Sequence, residues 1–275
     1  MSAPRTDYGP ALERGIWAIY QDFFRLAERH RRWSLEDDIP WHSCNPKTDP
    51  AVASVVESFC AVELFLPDYV GKFLPLVRGL RGRAWFAANW GYEESKHSLA
   101  LQEWLLRSGH RSEEQLEEVQ GWAVVGEWQL PTDDARGLAC YTLAQELATW
   151  LHYRNLCHLV GAGDPALAKL LQLIAVDERA HFDFYARVLR LHLEDDRAGT
   201  LKQLRRVLND FQMPATHLLA DSARRVAEVK GLGIFNEQLF YSGVYLPILK
   251  VLGLRRAEMR NQTLRRKSLT ARNLT

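Results

Sequence analysis

Glu94-Ser-Lys-His97 and Glu178-Arg-Ala-His181 are two copies of one spacing, Glu-x-x-His. On a helix such residues project from one face, a turn apart, so each copy offers a carboxylate and an imidazole together. Two such helices facing each other, completed by one Glu from each of two further helices, make the donor set of a carboxylate-bridged di-iron bundle. Spacing alone is weak support, because 19 Glu and 9 His supply about 0.6 matches by chance in a chain of this length. The plain alternative is a pair of solvated Glu/His faces. Context argues for the metal. An acid directly precedes each motif Glu, namely Glu93 and Asp177, and a ligating His needs such an acceptor on its outer ring nitrogen.

The elements that must position these groups read as helix after helix. Apolar residues recur at spacings of three and four over about 11–32, 51–76, 80–108, 133–162 and 165–193, with later helices expected at 199–211, 215–229 and 234–253. Breaks fall at clusters of Pro, Gly, Asn and Asp, and Asp133 and Asp164 stand where N-caps belong. Two lone glutamates lie in apolar helical sequence: Glu63 in the 51–76 stretch and Glu146 in 133–162. An unpaired buried carboxylate is costly, and a dication is one reason to tolerate it; a pKa-shifted or salt-bridged core Glu is the other. The order Glu, Glu-x-x-His, Glu, Glu-x-x-His puts six candidate ligands on four helices.

Composition bounds the answer. The chain has 275 residues, 47% apolar and 25% charged, with a net charge of +1, ordinary values for a globular domain and no signature of nucleic-acid binding. We expect a single all-α domain over 1–275, with flexible tails at about 1–10 and 255–275. No signal peptide or membrane span is expected. Cys44, Cys60, Cys140 and Cys157 form no CxxC pair and read as reduced thiols of a cytoplasmic protein.

These residues resemble the soluble acyl-[acyl-carrier-protein] desaturases, a ferritin-like di-iron family. The matching segments are Glu63-Leu-Phe-Leu-Pro67-Asp-Tyr69, Trp90 to His97, Gln145-Glu146-Leu-Ala-Thr149 and Ala175 to His181. Met213-Pro-Ala-Thr-His217 and Trp33 to Pro40 add to them, so the similarity spans roughly 12–253. The resemblance implies a ferritin-like four-helix bundle core with flanking helices and two Fe2+ per subunit. Glu63, Glu94, His97, Glu146, Glu178 and His181 would be the ligands, with Glu94 and Glu178 bridging. It also implies O2-dependent insertion of a double bond into a carrier-bound fatty acyl chain, electrons from a ferredoxin, and a homodimer.

Thr149 matches the family's active-site threonine, although a helix threonine often bonds only its own backbone. Trp33, Asp177 and His97 match a hydrogen-bonded chain for electron entry, and Trp33 could equally cover the bundle end. A basic rim would steer an acidic carrier. Its candidates are Lys72, Arg78, Arg81 and Arg83, which could also be ordinary solvated turn residues. The tail from Arg255 to Thr275 is basic as well. Two positions depart from the plastid enzymes: Val62 replaces a threonine, and His152 a serine. His152 could alter the reaction or be a satisfied core histidine. The absence of a transit peptide suits a bacterial cytoplasmic member. Two alternatives to the desaturase stay open, a di-iron hydroxylase or oxygenase acting on a carrier-bound acyl group and a catalytically silent ferritin-like metal-binding protein.

Overall fold

The computed structural model describes residues 9–260, so the basic residues Arg265, Arg266, Lys267 and Arg272 lie outside the described residues. Among the described residues there are helices and no β-strand. Four helices form the core bundle: α2 (Pro50–Glu63), α4 (Arg81–Arg107), α6 (Ala135–Val160) and α7 (Pro165–Asp195). α1 (Pro10–His30) precedes them, and α3 (Leu66–Val77) and α5 (Glu113–Val125) come between them. After α7 follow α8 (Arg197–Asn209), α9 (Ser222–Gly231), and α10 (Glu237–Phe240) running through a π-helical turn into α11 (Leu246–Val251).

Local chemistry explains the boundaries. Asp49 caps α2 by accepting from the Ala51 amide, with Pro50 in the first turn. The expected single helix over 51–76 is instead two, parted at Leu64 and Phe65. Pro67 has no amide hydrogen and its ring would crowd the carbonyl of residue 63, so α2 ends on Glu63. Asp164 caps α7 as expected, accepting from the Leu167 amide at 2.9 Å. The α6 cap is Asp134 rather than Asp133, accepting from the Arg136 and Gly137 amides. Helix α5 was not anticipated, although Ser112 and Gln115 form a full capping box at its start.

The stretch read as a helix over 215–229 opens with a tight turn. Ala215 and Asp221 adopt left-handed backbone, with φ of 53° and 54°, and the helix begins only at Ser222. An 18-residue window within Pro50–Val77 reaches a mean hydropathy of 1.5, long and apolar enough by composition alone to cross a membrane. The Leu64 break and its packing against α4 identify it as a core element.

α6 and α7 make the most extensive helix pair, α2 packs on α4, and α1 lies along both α4 and α7. The crossing of α1 and α4 is close because residue 82 is glycine: a Cβ there would sit 2.8 Å from the Trp17 amide nitrogen. Helix α9 is bound to α2 through buried Arg225, whose guanidinium donates to Glu57 at 2.6 Å and Ser58 at 2.8 Å. The four cysteines are unpaired.

Candidate metal centre

Four helices converge on one buried cluster. Glu63 ends α2, Glu94 and His97 share one face of α4, Glu146 lies mid-way along α6, and Glu178 and His181 share one face of α7. Glu63, Glu94, His97 and Glu178 offer donor atoms within 4.8 Å of one another, as do Glu94, Glu146, Glu178 and His181. Glu94 and Glu178 belong to both groups.

Both imidazoles turn Nδ1 inward. His97 Nδ1 lies 3.2 Å from Glu94 and 3.4 Å from Glu178. His181 Nδ1 lies 3.1 Å from Glu94 and 3.4 Å from Glu146. The outer Nε2 atoms meet the two acids that precede the motifs: His97 reaches Asp177 at 3.3 Å and His181 reaches Glu93 at 2.6 Å. Carboxylates there keep the proton on Nε2 and leave the Nδ1 lone pair for a ligand. Terminal carboxylates are steadied too, because Tyr153 donates to Glu63 at 3.0 Å and Trp90 to Glu146 at 3.1 Å.

The electrostatics show what the cluster lacks. Burial, reinforced by Glu94 and Glu178, pushes the Glu63 carboxyl well above the usual range. Burial and Glu178 do the same to Glu146 despite the nearby His181 imidazole. Burial alone would depress the imidazoles, but the surrounding carboxylates overturn it and hold both His97 and His181 well above the ordinary value. Burial would raise Glu178, yet the neighbouring His181 and His97 imidazoles bring it down to about 2. Glu94 Oε1, Glu146 Oε2, Glu178 Oε1 and His181 Nδ1 are buried without a hydrogen-bond partner. Four carboxylates and two imidazoles match two divalent cations in charge, and hard oxygen with imidazole suits iron or manganese.

A cationic clamp surrounds the outer acids. Arg31, which ends α1, donates to Glu93 at 2.9 Å and also bonds Asp177. Arg32 bonds Glu93 and donates to Asn89 at 2.8 Å. Burial raises the Glu93 and Asp177 carboxyls, but His181 and Arg31 around Glu93, and His97 and Arg31 around Asp177, hold both below the carboxylate range. The Trp33 indole donates to Asp177 at 2.7 Å, completing a line from Trp33 through Asp177 to His97. Sequence reading missed the arginines. They carry no motif, and only the packing of α1 along α4 and α7 brings them here.

A cavity of about 520 Å³ opens on the cluster, lined at its inner end by Glu63, Glu94 and Glu178. Thr149 and Val62 line it, as do Met213, Pro214 and Thr216 of the turn before α9. Thr149 donates to the Gln145 carbonyl at 3.0 Å, the local bond open to a helix threonine. His152 lines the wall as well. The four candidate docking cations are less uniform than expected. Lys72 pairs with Glu127 at 2.6 Å, Arg81 stacks over Trp17 at 3.8 Å, and Arg78 is exposed. Arg83 is buried against Glu13 at 3.1 Å and presents no surface charge, so it leaves the set. The cation that does border the cavity is Lys230 of α9.

Comparison with known proteins gives this arrangement relatives. The family model for fatty acid desaturases matches residues 76–250. The chain is 25% identical over 252 residues to DesA1 of Mycobacterium tuberculosis, provisionally named an acyl-[acyl-carrier-protein] desaturase, covering 82% of this chain and 72% of DesA1. Stearoyl-[acyl-carrier-protein] 9-desaturase 6 of Arabidopsis thaliana is 31% identical over 135 residues, 48% of this chain and 34% of that protein. Among solved structures, DesA2 of Mycobacterium tuberculosis superposes with a TM-score of 0.66 at 20% identity, covering 89% of this chain and 95% of that one. An R2-like ligand-binding oxidase from Sulfolobus acidocaldarius gives 0.52 at 14% identity over 88% and 89%. The two structures share the fold, a ferritin-like helical bundle.

Proposed function

The chain belongs to the fatty acid desaturase family, among the acyl-[acyl-carrier-protein] desaturases, and from that premise we propose that it introduces a double bond into a carrier-bound fatty acyl chain using O2. One observation carries this reading. A buried set of four carboxylates and two imidazoles opens directly onto a cavity of about 520 Å³ with mostly apolar surface, a size that holds small ligands. Two adjacent methylene hydrogens, two external electrons and two protons reduce O2 to two waters, leaving the alkene.

Iron fits the donors. Glu63, Glu94, His97 and Glu178 would hold one ion, and Glu94, Glu146, Glu178 and His181 the other. The pair, when bound and reduced, supplies the O2 activation and hydrogen removal that no side chain achieves at an unactivated methylene. The remaining work falls to the chain. Asp177 and Glu93 hold the imidazole protons outward, while Tyr153 and Trp90 fix the terminal carboxylates. Thr149, with its own proton engaged by Gln145, keeps oxygen lone pairs for a proton arriving beside the cluster. The line Trp33, Asp177, His97 is the proposed electron entry from a ferredoxin. Lys72, Arg78, Arg81 and the cavity-side Lys230 are proposed to meet the acidic carrier. A second copy of the chain is proposed to cover the exposed Phe24, Trp85 and Tyr92 of α1 and α4, in a cytoplasmic setting.

The test supplies iron, ferredoxin, its reductase, NADPH and O2 with acyl carrier proteins of several chain lengths. Products two hydrogens lighter support desaturation, and gain of one oxygen supports a hydroxylase. No product at any length, with about two irons bound per chain, overturns the enzyme reading in favour of a metal-binding protein.

A further inference from the structure

One group on the cavity wall is not needed for a plain hydrocarbon substrate. His152 is 6% exposed, and its ring is held on two sides by other lining residues. It stacks on Phe235 at 4.1 Å between centroids with 27° between planes, and meets the edge of Phe59 at 5.6 Å. Its Nδ1 lies 2.7 Å from the Ala148 carbonyl. A carbonyl can only accept, so Nδ1 carries the proton and Nε2 carries a lone pair. Burial brings the ring's pKa down to about 4, which keeps it neutral. No described residue bonds Nε2, and that atom is not among the enclosed unpartnered ones. The free acceptor therefore belongs to the cavity.

The neighbours extend the pattern. Gln145, Thr149 and His152 stand at i, i+4 and i+7 on α6 and all line the cavity, a polar stripe along one helix. Thr149 spends its proton on the Gln145 carbonyl. A plain alkyl chain passing this stripe would strip water from the Nε2 lone pair and return nothing, a net loss. A chain-borne hydroxyl is the smallest group that repairs it. It donates to Nε2, and its own oxygen remains an acceptor.

We propose that the cavity is built for fatty acyl chains that carry a hydroxyl group, with His152 Nε2 as the acceptor that recognises it. The inference rests on the acyl-chain reading above and names the substrate class within it.

The experiment uses the iron-loaded full chain and acyl carrier protein bearing either a plain saturated chain or chains of the same length with one hydroxyl at successive positions. Dissociation constants are measured by titration for each. One hydroxyl position should bind about tenfold tighter than the plain chain, the effect of one good hydrogen bond regained in a dry site. In His152→Phe that ratio should fall close to one, and in His152→Gln, which keeps an acceptor, part of it should return. Wild-type protein that binds plain and hydroxylated chains within twofold at every position overturns the hydroxyl proposal and leaves the acyl-chain reading standing. A preference that survives unchanged in His152→Phe also overturns it. Failure to bind any loaded carrier overturns both readings together.

Discussion

Around His97 the cluster faces the cavity: Glu63, Glu94, Glu178 and the Tyr153 ring all line it. Around His181 it is sealed. Glu146 and His181 are fully buried, the Trp90 indole closes on Glu146, and Phe86 and Phe184 stack at 3.6 Å beside the imidazole. The outer shells differ as well. His97 rests on Asp177, which shares its charge with Trp33 and Arg31, whereas His181 rests on Glu93, gripped by two arginines. Two copies of one motif thus acquire different work. On the proposed function the open half would meet substrate, and the sealed half sits buried where charge interactions are strong.

The largest test removes what the halves share. Glu178→Ala should abolish the coupled centre and turnover, with bound iron falling from about two per chain to one or fewer by metal analysis. An unchanged iron spectrum would falsify the shared role. Next come the outer acids, whose loss should cost about 10–100-fold in metal affinity or activity. Asp177→Asn should act chiefly on turnover, and Glu93→Gln chiefly on iron content, since it removes the anion that Arg31 and Arg32 share. If both variants lose iron and turnover in the same proportion, the asymmetry is not functional.

Smaller again, Tyr153→Phe and Trp90→Phe each delete one bond to a terminal carboxylate, worth about 1 kcal/mol. Iron titrations should show similar weakening in both, while substrate affinity changes only for the cavity-lining Tyr153.

The smallest effect is on stability and should leave the halves alike. His192, three turns past His181 on α7, is pushed down to about 3 by burial and by Arg83 and Arg136. Unfolded chain takes up this proton below about pH 6.5, while folded chain refuses it until about pH 3. Stability is therefore intact above that window and lost as pH falls through it, by about 0.7 kcal/mol between pH 7 and 6. Urea unfolding at the two pH values should show this slope, flattened in His192→Leu.

What the sequence carried followed from how each feature is built. Ligands on a helix must recur at fixed spacing, so Glu94, His97, Glu178 and His181 could be seen, and Glu93 and Asp177 came with them as adjacent residues. Lone Glu63 and Glu146 needed only an apolar setting to be noticed. Arg31 and Arg32 act from 146 and 61 residues away, and no local pattern marks such a contact. The helix end at Glu63 was legible in Pro67 and α5 in its capping box; both were outweighed by the apolar period. The turn at Met213 to His217 depends on left-handed backbone at Ala215, a residue type that does not advertise it.

Gly82 has a consequence well beyond its own crossing. It lets the early turns of α1 rest on the backbone of α4, and the far end of α1 delivers Arg31 some 15 residues on, about 22 Å away. Helix α1 is in effect a rigid lever with its fulcrum at Gly82 and the arginine grip at its tip. A side chain at residue 82 would tilt the arm and slacken both outer acids at once. The two candidate metal positions would thus be detuned together from a residue that belongs to neither.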